Sequence, residues 1–236
     1  MKNYLVKSLF KVKNTNWIFK DRSEEGDLFS LYMRAHEHSV YTFNKFLQGD
    51  WELKFFTGEV ENISEAYKNT FWYIHDLWHS GPCNIFYTDP DTLAIKKIDP
   101  WHYNKFMMFN YTDPVSLIRD DKVIIKDYFN AGVRYFPSTM SQHTWGLGRT
   151  LVVNWNFTDY RTEEIILNDM LWSQGLEVKD VLDVSMNWAF FINMNHSTSE
   201  TFNNSLIDTA KILHFHASRN IGATVKIMDE FVPTLI

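Results

Sequence analysis

Two acids spaced i, i+2, Asp89 and Asp91, close the apolar run Cys83-Asn84-Ile85-Phe86-Tyr87-Thr88. On extended backbone this spacing points both carboxylates to one side, where they can share a divalent cation and through it hold a diphosphate. The same residues also suit an ordinary acidic turn around Pro90. Farther along, Ile212-Leu213-His214-Phe215-His216 places two imidazoles on one side of an extended segment, and either can join a metal whose other ligands are carboxylates. With nine histidines in the chain, a chance pairing is the competing explanation.

Three further segments have suitable chemistry. In Phe129-Asn130-Ala131-Gly132-Val133 the small residues Ala131 and Gly132 allow close approach of a ligand, and Asn130 can donate to and accept from sugar hydroxyls. Thr162-Glu163-Glu164 opens an amphipathic helix. Thr162 suits the cap there and both acids suit the positive end of the helix dipole, a structural role sufficient for them. Ala217-Ser218-Arg219-Asn220 can bring a guanidinium to a phosphate.

The elements that must position these groups follow from hydrophobic spacing. Residues 4–12 form a candidate edge strand and 16–20 a second, in an N-terminal stretch, residues 1–25, whose role the pattern leaves open. After Gly26 the expected order is a strand at Leu28–Met33, a helix at His38–Leu47, a strand at Trp51–Phe56, a helix at Ser64–Trp78 and a strand at Asn84–Thr88. Asn62 and Ser64 are capping candidates for the second helix, and Gly81-Pro82 stops it. Strands are expected at Phe106–Asn110 and Val133–Phe136, and a helix at Glu163–Gln174 with Gly175 near its C-terminal cap. Leu206–Phe215 begins either helical or extended. Alternating strands and helices imply a mixed, mostly parallel sheet flanked by helices, with ligands outside the carboxyl ends of the strands. Asp89 and Asp91 stand at one such end.

The totals bound the rest. At 236 residues, 45% apolar and 17% aromatic, the chain can bury one sizeable core, and residues 1–236 are expected to form a single domain. A net charge of −6 argues against a nucleic-acid partner. The lone Cys83 suits an inert core position. Without an apolar leader or an 18-residue apolar window, a soluble, cytoplasmic protein with no transmembrane segment is the expectation. The aromatic surplus, Trp101, Tyr103, Trp145, Trp155 and Trp188 among it, suits a core, a sugar-stacking surface or a homodimer interface.

The order of the segments resembles a family. Thr88-Asp89-Pro90-Asp91-Thr92-Leu93 looks like the DxD strand of GT-A fold glycosyltransferases, an α/β, Rossmann-like fold for nucleotide-diphospho-sugar transfer. Phe129-Asn130-Ala131-Gly132-Val133 with Pro137-Ser138 resembles the FNSGV…PS segment of glycosyltransferase family 8, the glycogenin-like group. Glu163–Asn168 is similar to that family's DQxxLN helix start, Asn187 stands where it commonly has Tyr-Asn, and Ile212-Leu213-His214-Phe215 resembles its closing iiHF element. The set covers about residues 27–220. Departures are Glu163-Glu164 in place of Asp-Gln, and no Lys-Pro-Trp ending; Arg219 is the substitute cation nearby.

The resemblance implies a metal-dependent transferase that moves a sugar from a nucleotide-sugar, a UDP-sugar first, to an acceptor with retention of configuration. Asp89, Asp91 and His214 would hold Mn²⁺ or Mg²⁺, and Asp89, Lys68, Gly132 and Arg219 would contact the donor. Asn130, Glu163 and Glu164 would position hydroxyls and stabilise positive charge at C1. The loop after the first regular strand, around Met33–His36, would hold the base. The altered ending motivates an alternative, a catalytically inactive protein of the same fold that binds a nucleotide-sugar or glycan. A metal-dependent hydrolase using the same carboxylates is a third class.

Overall fold

The computed structural model describes residues 1–13, 27–109, 115–119, 122–154, 162–181, 183–189, 208–215 and 221–235. Its centre is a five-stranded sheet. The first strand, β1 (Lys2–Val12), lies between β2 (Glu52–Val60) and β3 (Cys83–Thr88), parallel to both. Beyond β3 come β8 (Val133–Phe136) and then β5 (Met107–Met108), each antiparallel to its neighbour. All the strands except β8 therefore run the same way, the mixed and mostly parallel sheet that the spacing implies.

The N-terminal stretch is a correction to the sequence expectation. Residues 2–12 form no edge strand or extension; they are a central strand of the sheet, with Leu5 and Val6 fully buried. An apolar run flanked by lysines looks like an edge until its neighbours are known, whereas a parallel strand covered on both faces needs such a continuous run. The candidate strand at 16–20 lies outside the described residues.

Leu28–Met33 is a second correction. It is no strand but the start of helix α1 (Leu28–Phe46). Asp27 caps this helix, accepting the Phe29 N–H at 3.1 Å and the Ser30 hydroxyl at 2.8 Å. The buried set Ala35, His36, Ser39, Thr42 and Phe43 continues at helical spacing, and a 19-residue amphipathic pattern outweighs a six-residue apolar run. Met33–His36 is thus helical rather than a base-binding loop, and the His36 ring stacks on Phe55 with centroids 4.0 Å apart. Helix α2 (Ile63–His79) joins β2 to β3, with Asn62 as its cap.

Side chains of β1 show where the helices lie. Lys7 reaches Ser39 of α1, while its neighbour Ser8 bonds Thr70 of α2, so the two helices cover opposite faces. The chain thus winds from β1 outward to β2 on one face and returns across the other to β3. That reversal opens a crevice between the carboxyl ends of β1 and β3. β1 pairs with β3 only as far as Val6↔Tyr87, but with β2 as far as Val12↔Val60.

A small sheet completes the crevice. β4 (Thr92–Ala94) pairs antiparallel with β10 (Ile212–His214), and β10 pairs in parallel with β9 (Trp188–Ala189). β6 (Val115–Arg119) and β7 (Lys122–Tyr128) make a separate hairpin. Helices α3 (Gln142–Asn154) and α4 (Thr162–Trp172) pack together, so closely that a Cβ on Gly148 would strike the Met170 side chain. A short helix, α5 (Val178–Val181), follows α4, and the last helix, α6 (Ile221–Phe231), docks on α1. Asp229 of α6 takes the Arg34 guanidinium at 2.8 Å and His38 Nε2 at 2.7 Å.

The aromatic surplus largely fills the core. Trp145 is buried and stacks on Phe136, centroids 5.4 Å apart, while Trp101 and Tyr103 pack against the same cluster. Trp155 and the side chain of Trp188 lie outside the described residues. Cys83 is buried, and burial pushes its thiol up to about 11, as suits an inert core residue. Among the described residues, no helix is long and apolar enough to cross a membrane.

Candidate metal centre

The acidic pair lies just past the end of β3, at the crevice between β1 and β3. The register of β10 brings His214 to it. His214 stands opposite Thr92, and the Phe215 N–H donates to the Asp91 carbonyl at 2.9 Å. His214 Nε2 is then 3.4 Å from Asp91 Oδ1 and 3.6 Å from Asp89 Oδ2. One donor atom from each of the three residues lies within 4.8 Å of the others. Asp91 and His214 are buried, whereas about a third of the Asp89 side chain, 35%, is exposed. One open carboxylate beside two buried ligands leaves a route for an incoming anion.

The His214 tautomer follows from its neighbour. Asn187 Nδ2 donates to the Phe109 carbonyl at 2.6 Å, which fixes the amide so that its Oδ1 faces His214 Nδ1 at 3.1 Å. In the neutral ring Nδ1 then carries the proton, and Nε2 turns its lone pair toward the carboxylates. Burial disfavours a charged His214, but Asp91 and Asp89 outweigh it and raise the pKa. Burial also raises the Asp89 pKa, His214 opposing and Asp91 adding to the rise. Such a donor set, two carboxylate oxygens and one imidazole nitrogen, suits a divalent cation.

Gly132 shapes the same space. Its carbonyl accepts the Asp89 N–H at 2.8 Å. A Cβ there would collide with the His214 ring and stand 2.9 Å from Asp89 Oδ2. Only a residue without a side chain leaves this centre intact.

The two adjacent glutamates part company. Glu163 is buried, and its Oε1 takes Arg134 Nη2 at 2.6 Å. The Arg134 guanidinium in turn lies 3.9 Å over the Tyr87 ring. Burial raises the Glu163 pKa, with Arg134 opposing. Glu164 instead accepts Asn130 Nδ2 at 2.8 Å and the Ala131 N–H at 3.4 Å, and burial pushes its carboxyl up to about 7. Asn130 Oδ1 accepts the Gly132 N–H at 2.9 Å, tying this pair to the metal centre.

Asn168, one turn farther along α4, clamps the segment from behind. Its Oδ1 accepts the Phe129 N–H at 2.7 Å and its Nδ2 donates to the Phe129 carbonyl at 2.8 Å. An Asn168→Ala variant leaves both buried backbone groups of Phe129 unpaired and loses about 2–4 kcal/mol of stability, measurable by urea denaturation.

The remaining sequence expectations divide. Lys68 is exposed on α2 at the rim of a small recess shared with Tyr67 and Glu163, and among the described residues its ammonium has no hydrogen bond or ion pair. Arg219 and His216 lie outside the described residues.

Two basic groups escape a reading of the sequence. Arg134 sits in a strand whose other residues are apolar, and no spacing signals it. Lys7 is the other: it is buried, and its Nζ lies 2.6 Å from Thr88 Oγ1 and 2.7 Å from Ser39 Oγ. Burial lowers its pKa to about 7 against the opposing pull of Asp89 and Asp91. An alternation signal was available for Lys7, because residues 5 and 7 share a strand face and Leu5 belongs in a core.

No protein-family model matches the chain, and no curated protein matches its sequence. Solved structures do. A glycosyltransferase involved in glycosylation of the major capsid of PBCV-1 superposes with a TM-score of 0.52 at 10% identity, over 97% of this chain and 100% of that one. The bifunctional glycosyltransferase WbbM, solved in its apo form, gives 0.54 at 10% identity, over 96% of this chain and 49% of its own. The fold is that of solved glycosyltransferases. This chain spans about half of WbbM, and its resemblance to glycosyltransferase family 8 rests on the motifs alone.

Proposed function

We propose that this chain is a metal-dependent glycosyltransferase that moves a sugar from a nucleotide-diphosphate donor, a UDP-sugar first, to an acceptor hydroxyl. The observation that carries this reading is the convergence of Asp89, Asp91 and His214 at the carboxyl end of β3. Those three residues would hold Mn²⁺ or Mg²⁺. A divalent cation bound there supplies positive charge against the leaving diphosphate.

The protein's own groups supply the rest. As the bond from sugar C1 to the diphosphate oxygen breaks and the acceptor oxygen bonds to C1, giving its proton to the leaving diphosphate, positive charge builds on the sugar ring. The Asn130–Glu164 pair, joined at 2.8 Å, presents an amide and a carboxylate that orient hydroxyls and face that charge. Glu163 is committed to Arg134 and acts as a brace for the β8 end of the site. Lys68 and Arg219 are the proposed donor cations, and Gly132 lets the diphosphate approach. Retention of configuration follows from the resemblance to family 8, and cytoplasmic location and the single-domain reading stand as parts of the same proposal.

A second reading, a donor-binding protein without turnover, draws on the missing Lys-Pro-Trp ending and on the glutamate withdrawn by Arg134. A thermal-shift screen of nucleotide-sugars with and without Mn²⁺ tests the first step. At ligand about 100 times its Kd the expected stabilisation is about 2.7 kcal/mol, and it should require metal and nucleotide together. A shift with nucleotide alone, equal with and without Mn²⁺, overturns the metal bridge. Release of nucleoside diphosphate then separates enzyme from binder.

A further inference from the structure

Against the backbone and hydroxyls of the acidic turn lies the buried amine of Lys7. Its surroundings are oxygens of the turn and of α1: Thr88 Oγ1 at 2.6 Å, Ser39 Oγ at 2.7 Å, the Asp89 carbonyl at 3.2 Å and Thr92 Oγ1 at 3.5 Å. An ammonium has three protons, and the three nearest oxygens use them. The Asp89 carbonyl receives a second donor, the Thr92 hydroxyl at 2.7 Å. The lysine head is therefore bound to the backbone and hydroxyls of the 88–92 turn and to Ser39 of α1.

Its place in the fold gives this arrangement meaning. Lys7 is the first residue of β1 beyond the last pair with β3, Val6↔Tyr87. From there no strand ladder with β1 supports the chain that carries Asp89 and Asp91. The other side of the turn is held by the Asp89 N–H to Gly132 carbonyl and Phe215 N–H to Asp91 carbonyl bonds, and freedom left on the β1 side would cost ordering entropy each time two carboxylates gathered around a cation. The lysine stem crosses the sheet face, with Nζ 4.8 Å from the Phe43 ring centre, and its head replaces the missing ladder bonds.

We propose that Lys7 is a positioning residue for the metal centre, fastening the 88–92 turn so that Asp89 and Asp91 are preset to bind the cation; this rests on the metal-dependent reading above. Lys7 acts through the Thr88 hydroxyl and the Asp89 carbonyl.

The test measures Mn²⁺ affinity by electron paramagnetic resonance of free Mn²⁺, alongside melting temperature, for the full chain and for Lys7→Met, Thr88→Val and Asp91→Asn. The expected result for Lys7→Met is Mn²⁺ binding weakened about 10- to 100-fold, the range for lost outer-shell partners, beside a lower melting temperature because the buried oxygens it bonded lose their donor. Thr88→Val, which keeps the lysine and removes one of its oxygens, should weaken binding less but in the same direction, and it decides the matter if Lys7→Met does not fold. A lysine that only supports the fold predicts a lower melting temperature with Mn²⁺ affinity unchanged, and that result overturns the proposal. If the wild type binds Mn²⁺ no better than Asp91→Asn, the metal reading itself fails and the proposal falls with it. Wild-type binding lost in Asp91→Asn but kept in Lys7→Met and Thr88→Val rejects the Lys7 role alone.

Discussion

On the proposed metal-dependent reading, Asp91→Asn and His214→Ala are each expected to lower turnover of a nucleotide-sugar by about 100- to 1,000-fold, the equivalent of several kcal/mol of charge stabilisation. Asn keeps the shape of Asp91 and removes the charge. Ala removes the imidazole nitrogen that stands 3.4 Å from Asp91 and 3.6 Å from Asp89. The fold should survive both changes, because the Phe215 N–H to Asp91 carbonyl bond and the β4–β10 ladder are made by backbone. Circular dichroism checks that survival, and nucleoside-diphosphate release with and without Mn²⁺ measures the loss. Undiminished turnover in both variants would sink the metal assignment.

Gly132→Ala is the smallest substitution with a comparable effect. One added methyl meets the His214 ring and Asp89 Oδ2, 2.9 Å away, inside any real Cβ contact. Relief requires either His214 to leave Asn187 or the start of β8 to retreat, which stretches the 2.8 Å bond from the Asp89 N–H to the Gly132 carbonyl. Overpacking of this kind destabilises by about 1–3 kcal/mol. The expected outcome is a lower urea midpoint together with loss of the Mn²⁺-dependent thermal shift. Wild-type stabilisation by Mn²⁺ and nucleotide in Gly132→Ala would show that the cation binds elsewhere.

Local pattern revealed much of the architecture. The Asn62 cap and the stripe Ala66, Phe71 and Ile74 mark α2, and an apolar run bounded by Gly81-Pro82 and Asp89-Pro90 marks β3. The misreadings share a cause. Residues 28–33 are a short, nearly continuous apolar run, and only the longer period through Phe43, opened by the Asp27 cap, identifies them as helix. Residues 2–12 look peripheral because three lysines interrupt them. Yet Lys7 is buried, while Lys2 and Lys11 are exposed. A lysine's surroundings depend on which strands lie beside it, and that is a long-range property.

Pairing across the sheet decided the site. The i, i+2 spacing of Asp89 and Asp91 set by itself that two carboxylates leave one strand end together, because alternation is a property of extended backbone. Their third partner comes from residue 214, and only the antiparallel register of β10 on β4 brings it within reach. Adjacent Glu163 and Glu164 carry equal charge and equal length in the sequence. Tertiary packing gave one to Arg134 and the other to Asn130, because a buried carboxylate takes whichever donor the neighbouring strand presents. Sequence determined which chemical groups were available and which pairs share a face. The fold decided which of them meet.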